Sequence, residues 1–255
     1  MINQTTNKFG KSIMKNALVI PVRLESTRLP YKALKTIKGP SIIQRVVNQC
    51  IKTGLKTYVI TDNEYIAKTV SFNSKQNQNV YVILDQKDAD SGTHRIANIV
   101  NELCEDNFIN VQGDQPFISP EAILEMSNFM ITNPECDIVT PVSKHNPDKY
   151  DDPSKCKVVR SLSGRAVYFS RNPVPYGSDE LWGHLGIYGY KRKVLENYHK
   201  LKISPLEKVE RLEQLRFIDN DISIHTYETN HSIFSIDTWD DFKYATKNYS
   251  NFLTL

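Results

Sequence analysis

The 255-residue sequence predicts an α/β fold built on a mostly parallel, doubly wound sheet. Short apolar runs alternate with amphipathic segments from residue 16 onward. The runs are continuously apolar, which is typical of parallel strands that are buried on both faces. After residue 141 the pattern changes to shorter, less apolar runs, which predict a smaller mixed or antiparallel sheet inserted after the parallel half.

The first half is predicted to contain five strands connected by helices. Residues 96, 99, 100 and 103, for example, are apolar at the three- and four-residue spacing of a helix face. The strands are expected at 17–21, 57–61, 80–84, 108–112 and 136–141. The helices are expected around 42–50 and at 64–72, 93–103 and 120–130. Strands alternating with helices indicate a sheet covered on both faces.

The second half is predicted to add further strands and two helices. Strands are expected at 157–160, 165–170, 184–190 and 222–227, with a turn at Ser163-Gly164. A capping box with proline at the first helical position predicts a helix from Ser204, and the last helix is expected to begin near Thr238. If the first of these helices continues, Glu213 falls between Leu206 and Val209 in its apolar sector, at about 100° per residue. A carboxylate on a buried face needs a partner or a ligand.

Composition excludes several classes of protein. The chain carries 32 Lys+Arg against 29 Asp+Glu, a net charge of +3, and these cations are spread along the sequence, unlike the basic face of a nucleic-acid binder. No run approaches the roughly 18 apolar residues of a membrane helix. The four cysteines form no C-x-x-C pair, so free thiols in a reducing cytoplasm are expected rather than zinc or disulfides. Residues 1–15 are polar, lack the apolar core of a secretory signal, and are expected to form a flexible tail.

The loop after the first strand carries a cluster of cations. Arg23, Arg28 and Lys32 lie within ten residues, together with the hydroxyls of Ser26 and Thr27. Open α/β sheets bind ligands at the carboxyl ends of their strands, and such cations suit a polyphosphate. The spacing is not that of a Walker loop. A solvated basic loop would have the same composition.

Two aspartates are candidate functional residues. Asp114 follows the strand at 108–112 in the segment Asn110-Val-Gln-Gly-Asp, where a carboxylate at a strand tip suits a divalent cation. Asp114 could equally be a turn residue or helix cap. Asp237 directly precedes the last helix, and a cap or helix-dipole partner explains it as well.

Eight segments together carry a resemblance to a known family. They are Pro21-x-Arg-x-x-Ser-Thr-Arg-Leu-Pro-x-Lys32, Ser91-Gly-Thr93, Asn110-Val-Gln-Gly-Asp114, Tyr168-Phe-Ser-Arg171, His184-Leu-Gly-Ile-Tyr-Gly-Tyr190, Ser204-Pro-Leu-Glu207, Leu212-Glu-Gln-Leu-Arg216 and Ile236-Asp-Thr238. In this order they resemble the 3-deoxy-manno-octulosonate (Kdo) cytidylyltransferases, or CMP-Kdo synthetases, over roughly residues 16 to 245.

The resemblance implies a Rossmann-like nucleotidyltransferase and assigns roles to residues. Such enzymes join CTP to an acidic eight-carbon sugar by Mg²⁺-assisted in-line attack of the anomeric hydroxyl on the α-phosphorus, releasing pyrophosphate, in lipopolysaccharide biosynthesis. The catalytic residues would be Arg23, Arg28, Lys32, Asp114 and Asp237, with Asp114 and Asp237 as Mg²⁺ ligands. CTP would also contact Pro21, Ser26, Thr27, Ser91, Gly92 and Thr93. The sugar acid would contact Gln112, Arg171, His184, Tyr188, Glu213 and Gln214.

The resemblance also implies how the chain is organised. Residues 16–255 would form a single cytidylyltransferase domain and a homodimer. Its parts would be a CTP-binding half at 16–145, a sugar-binding and dimerisation insertion at 146–235, and a C-terminal helix at 236–255 that completes the metal site. Tyr31, Ala33 and Gln115 depart from the family's usual residues. The expected sugar is Kdo or a variant such as an 8-amino analogue. The alternatives are a CMP-synthetase for another ulosonate such as a nonulosonic acid, and a degenerate relative that binds nucleotide or sugar without turnover, for which these three residues are the argument.

Overall fold

The computed structural model describes residues 14–74, 79–147 and 152–252, which build a ten-stranded sheet flanked by helices. The strands are β1 Asn16–Val22, β2 Lys56–Thr61, β3 Val80–Leu84, β4 Asn107–Asn110, β5 Ile138–His145, β6 Lys157–Arg160, β7 Ala166–Ser170, β8 Leu181–His184, β9 Tyr188–Lys191 and β10 Ile224–Glu228. The helices are α1 Ile42–Lys52, α2 Glu64–Ser74, α3 Gly92–Ile99, α4 Pro120–Thr132, α5 Arg192–Glu196, α6 Pro205–Glu210, α7 Gln214–Asp219 and α8 Trp239–Lys247. Short 3₁₀ helices include Lys32–Leu34, Tyr198–Lys200 and Tyr249–Phe252.

The parallel half of the sheet is doubly wound, as predicted. Strands β3, β2, β1 and β4 are neighbours in that order and run parallel. Ile96 of α3 packs against one face with Val19 and Phe108. Val46 of α1, Val70 of α2 and Ile123 of α4 pack against the other face. The predicted α/β class is therefore confirmed.

The antiparallel strands continue the same sheet. Strand β9 lies between β4 and β5 and is antiparallel to both, and β8, β6 and β7 extend the sheet to its edge. The chain therefore inserts β9 into the middle of the sheet instead of adding a separate one. Gly189 makes this insertion fit, because a Cβ atom there would lie 2.4 Å from Met130 Sδ.

Two predicted elements are interrupted. The strand predicted at 184–190 is wrong as a single unit, because a turn at Gly186, with φ of +71°, separates β8 from β9. The continuous helix after Ser204 is also wrong: α6 ends at Arg211, which adopts a left-handed conformation with φ of +54°, and α7 starts at Gln214. Val209 is 81% exposed, so the helical-wheel argument placed Glu213 beside residues that do not form a buried face.

Both ends of the described chain are held by contacts with the rest of the fold. Most of the tail predicted at 1–15 lies outside the described residues, and the backbone N–H of Lys15 donates to the Asp106 carboxylate at 2.8 Å. At the other end, Thr238 and Asp241 form a capping box that starts α8. Phe242 and Tyr249 then pack with Phe117 in a third apolar cluster. This packing holds the segment before α8 against the loop after β4.

Two further observations concern thiols and membranes. Cys50, Cys104, Cys136 and Cys156 are free thiols. Within the described residues, no helix is both long enough and apolar enough to cross a bilayer.

Candidate active site

A cavity of about 260 Å³ opens at the carboxyl ends of β1 and β4. One wall is the loop after β1, and another is the start of α3. The lining includes Pro21, Arg23, Ser26, Thr27, Arg28, Lys32, Ser91, Gly92, Gln112, Asp114 and Asp237. The structure thus brings together the predicted cations, both predicted aspartates and most of the residues predicted for CTP.

Lys32 lies at the centre of the charged groups. Its Nζ is 2.7 Å from Asp114 Oδ2 and 3.0 Å from Asp237 Oδ1, and its side chain is only 18% exposed. Burial alone would lower the pKa of Lys32, but the two carboxylates outweigh burial, so this pKa is raised above its ordinary value. Lys32 is therefore a fixed cation that bridges both aspartates.

The backbone before Lys32 has an unusual conformation. Tyr31 is left-handed, with φ of +55°, and the 3₁₀ segment Lys32–Leu34 follows it. The turn directs Lys32 toward the cavity, while Tyr31 itself is exposed.

The two arginines of the loop reach the cavity from its open side. Arg28 is exposed, and its Nη2 donates to Asp237 Oδ1 at 3.0 Å. Arg23 is exposed and lines the cavity. Both guanidinium groups are accessible to an anion that enters from solvent.

Asp114 and Asp237 have a chemistry that fits a divalent cation. The backbone N–H of Ile236 donates to the Asp114 carbonyl at 2.9 Å, which joins the two segments. Burial raises the pKa of Asp114, although Lys32 opposes that rise. One oxygen from each carboxylate contacts the same ammonium, so the two are close enough to share one cation. Hard carboxylate oxygens are what Mg²⁺ prefers, usually together with substrate phosphates.

Glu213 is held by hydroxyl groups. Ser91 and Tyr198 each donate to Glu213 Oε1 at 2.5 Å, and Thr93 donates to Oε2 at 3.0 Å. The Tyr198 hydroxyl in turn accepts from Arg216 Nη1 at 2.7 Å. We call these five residues the Glu213 cluster. They explain how an acid is accommodated here although the helical wheel was wrong.

His184 and Tyr188 lie beyond Gln112 on the same sheet. His184 Nε2 lies 3.0 Å from Thr140 Oγ1 and 3.3 Å from the Gly186 nitrogen, and burial lowers the pKa of this histidine to about 3. The imidazole is therefore neutral. The Tyr188 hydroxyl and the Asn110 side-chain amide are buried and have no hydrogen-bond partner among the described residues. Asn110 and Tyr188 face each other across β4 and β9, so unsatisfied polar groups concentrate at this place.

Arg171 and Gln214 form hydrogen bonds to other protein groups and do not line the cavity. The Arg171 guanidinium donates to the carbonyls of Glu210, Pro153 and Arg211 at 2.7, 2.9 and 3.1 Å. Gln214 donates to Cys156 Sγ at 3.4 Å. Their predicted contact with the sugar stays a prediction.

The structure adds residues that sequence reasoning did not find. Arg95 lines the cavity, is buried, and donates to Asp62 Oδ2 and the Asp85 carbonyl, both at 2.9 Å. Tyr198 and Arg216 complete the Glu213 cluster. Arg216 lies in a segment that carries the family resemblance, but no motif in the sequence points to Arg95 or Tyr198.

Comparison with known proteins identifies the family. The sequence model described as cytidylyltransferase matches residues 17–228. The chain belongs to the cytidylyltransferase family. Its relatives include the 3-deoxy-manno-octulosonate cytidylyltransferases of Rickettsia canadensis and Rickettsia prowazekii. Each is 40% identical over 92% of this chain and 96% of the relative.

Solved structures agree with this assignment. A structure of CMP:2-keto-3-deoxy-manno-octonic acid synthetase complexed with CTP superimposes with a TM-score of 0.87 at 31% identity, covering 93% of this chain and 99% of the other. A cytidylyltransferase from Leptospira borgpetersenii gives a TM-score of 0.62 at 17% identity, covering 93% and 87%, and shows the fold alone. The predicted family resemblance is confirmed, and the chain is a nucleotidyltransferase.

Proposed function

We propose that this cytidylyltransferase couples CTP to 3-deoxy-manno-octulosonate, forming the CMP-sugar and releasing pyrophosphate. One observation carries the proposal: Arg23, Arg28 and Lys32 converge with Asp114 and Asp237 in a single cavity at the ends of parallel strands. The names of the relatives indicate the sugar.

The reaction demands that anions be brought together. The anomeric hydroxyl of the sugar attacks the α-phosphorus in line, while the sugar carboxylate and the triphosphate repel each other. Arg23, Arg28 and Lys32 hold the triphosphate and stabilise the charge that develops on the leaving pyrophosphate. Positioning and electrostatics supply most of the acceleration in reactions of this type.

Asp114 and Asp237 hold Mg²⁺ in this proposal. The ion supplies Lewis-acid polarisation of phosphate oxygens and offsets their charge. Lys32 must then transfer part of its contact from the carboxylates to the phosphates. Its position between both aspartates makes this exchange a short movement.

The CTP side of the cavity is formed by the loop after β1 and the start of α3. Pro21, Ser26, Thr27, Ser91 and Gly92 line it, whereas Thr93 is buried behind it against Glu213. A Cβ atom on Gly92 would lie 3.0 Å from Pro21 Cγ, so the glycine keeps this wall thin. We assign the nucleoside to this wall.

The sugar side is assigned to Gln112, His184, Tyr188 and Glu213. Buried polar groups without partners are costly, so the Tyr188 hydroxyl and the Asn110 amide indicate where a polar ligand or water is accommodated. A sugar contact of Arg171 and Gln214 belongs to the same proposal, and it requires both side chains to leave their protein partners, the Glu210 carbonyl and Cys156 Sγ. We therefore also propose the CTP-binding half at 16–145 and the sugar-side insertion at 146–235.

We further propose a homodimer in the cytoplasm. Strand β7 lies at the edge of the sheet and exposes Val167. An edge strand presents backbone N–H and C=O groups with which a strand of a second chain can pair. Sedimentation equilibrium at micromolar concentration tests for the dimer, and a monomer would contradict it.

The decisive assay measures pyrophosphate release from CTP, Mg²⁺ and Kdo, together with CMP-Kdo formation. Asp114→Ala is expected to lower kcat by at least about 100-fold. Turnover of a nonulosonic acid or an 8-amino analogue but not Kdo would change the assigned substrate. Calorimetric CTP binding without product from any sugar acid would instead identify a binding relative.

A further inference from the structure

We propose that Tyr198 is a positioning residue for the acceptor sugar, because its hydroxyl orients the Glu213 carboxylate so that one acceptor site remains for a sugar hydroxyl. The inference rests on the proposed function and deepens it by naming the group that Glu213 recognises. Tyr198 is 15 residues from Glu213 in sequence, and neither residue lines the cavity; Ser91 does line it and contacts both.

The donor directions around Tyr198 are fixed by Arg216. The Arg216 guanidinium forms a bidentate pair with the Glu207 carboxylate: Nε lies 2.8 Å from Oε2, and Nη2 lies 2.6 Å from Oε1. This bidentate pair sets the plane of the guanidinium and leaves Nη1 to donate to the Tyr198 hydroxyl at 2.7 Å. The tyrosine oxygen is therefore an acceptor for Arg216, and its single proton is donated to Glu213.

Glu213 then has one unused acceptor position. An ionised carboxylate has about four acceptor sites. Oε1 receives both Ser91 and Tyr198, and Oε2 receives Thr93. The remaining site is on Oε2, and a negatively charged acceptor there favours a neutral hydroxyl donor. The same negative charge repels the sugar carboxylate and the phosphates. Glu213 therefore binds a hydroxyl group of the sugar.

Ser91 and Tyr198 approach Glu213 from different parts of the chain. Ser91 lines the CTP side of the cavity and caps α3 by accepting from the His94 N–H. Tyr198 is the buried residue of the 3₁₀ segment after α5, and its ring packs near Phe217 of α7. The Ser91 hydroxyl is 3.4 Å from the Tyr198 hydroxyl, but the His94 N–H also holds it at the start of α3. Removal of the Tyr198 hydroxyl should therefore disturb the orientation of Glu213 more than the nucleotide wall.

The chain offers a matched control. The buried Tyr58 donates to Glu105 Oε2 at 3.1 Å, which is the same type of tyrosine–carboxylate pair, and neither residue lines the cavity. We compare Tyr198→Phe with Tyr58→Phe by steady-state kinetics and by thermal unfolding. Tyr198→Phe should raise KM for the sugar by about tenfold or more, the usual effect of losing a hydrogen bond to a charged group. KM for CTP should stay within about twofold of wild type in both variants.

The outcomes separate the two proposals. An unchanged sugar KM in Tyr198→Phe, whatever its loss of thermal stability relative to Tyr58→Phe, shows a structural role only and overturns the inference. If Tyr198→Phe does not fold, Arg216→Lys is tested instead. Lysine keeps the positive charge but cannot form the bidentate pair with Glu207. The KM of Arg216→Lys for the sugar must then also rise. If the wild-type protein turns over no sugar acid, both the proposed function and the role of Tyr198 are wrong. If it does turn over a sugar acid but Tyr198→Phe has the wild-type KM for the sugar, only the role of Tyr198 is wrong.

Discussion

Lys32 Nζ lies 2.7 Å from Asp114 Oδ2, and the same ammonium reaches Asp237. The ammonium offsets one of the two negative charges before any substrate binds, and Arg28, 3.0 Å from Asp237 Oδ1, offsets the other. A divalent cation and Lys32 compete for the same oxygens. A triphosphate changes this balance, because it gives Lys32 and Arg28 other anions to bind.

Lys32→Met should therefore bind Mn²⁺ more tightly than wild type when no nucleotide is present. It should also bind CTP more weakly, because a phosphate contact is lost. Electron paramagnetic resonance measures free Mn²⁺, and calorimetry measures CTP binding. Lys35→Met, three residues away with its ammonium 4.3 Å from the centre of the Trp239 ring, is the control. Equal Mn²⁺ affinity in wild type and Lys32→Met would contradict the competition.

Asp237→Asn should lower kcat by about 100-fold or more, because it removes a carboxylate from the proposed metal site. Asp240→Asn provides the control, since the side chain of Asp240 is 93% exposed on the first turn of α8. Pyrophosphate release measures both variants. An equal kcat for the two would remove Asp237 from the catalytic site.

His184 should make folding stability dependent on pH. Burial lowers its pKa in the folded protein to about 3, so below the ordinary value of 6.5 the unfolded chain binds a proton that the folded chain does not. Stability is then lost as pH falls through that range, at up to about 1.4 kcal/mol per pH unit. Urea unfolding measures the free energy of unfolding at pH 7.5 and 5.0. Between these pH values His184→Gln should lose up to about 2 kcal/mol less of this free energy than wild type does. His199→Gln, at an exposed position, should behave like wild type, and identical pH dependence in His184→Gln would refute the prediction.

Gly189→Ala should destabilise the fold by about 2 kcal/mol, because its new methyl group would collide with Met130 and Val139. Met130→Ala creates space at the nearest contact. The cost of Gly189→Ala should therefore be smaller in the Met130→Ala background. Urea unfolding of the four proteins in this cycle measures the coupling, and additive effects would count against the close approach.

Tyr31→Asn should stabilise the protein by about 0.5–1 kcal/mol, because asparagine tolerates the left-handed conformation better than tyrosine does. Tyr31 is 61% exposed, so little packing is lost. Tyr65→Asn, at a similarly exposed position on helix α2, should not stabilise. Thermal unfolding compares the two, and a loss of stability in Tyr31→Asn would contradict the strain argument.

The sequence predicts what is local in this fold. Apolar runs locate the parallel strands, and β3 and β6 begin and end where predicted. The insertion of β9 between β4 and β5 depends on Gly189 meeting Met130, a contact between distant segments that no periodicity records. Likewise, the break at Arg211 is a conformational choice that a helical wheel does not include.

The residues of the candidate site also differ in whether the sequence predicts them. Arg23, Arg28, Lys32 and Asp114 could be identified because each follows a predicted strand, where ligands bind in this class of sheet. Asp237 was assigned only through the family resemblance, because its place opposite Lys32 depends on the packing of α8. Tyr198 was missed because its role is created by Arg216 and Glu213 after folding.

The separation of 205 residues between Lys32 and Asp237 has a consequence for synthesis of the protein. Translation runs from the N-terminus, and a domain generally folds as a unit. Arg28 and Lys32 are therefore synthesised long before Asp237 is available to pair with them. An incomplete chain would present Arg28 and Lys32 without the second carboxylate, so premature termination yields a protein that cannot assemble its catalytic centre.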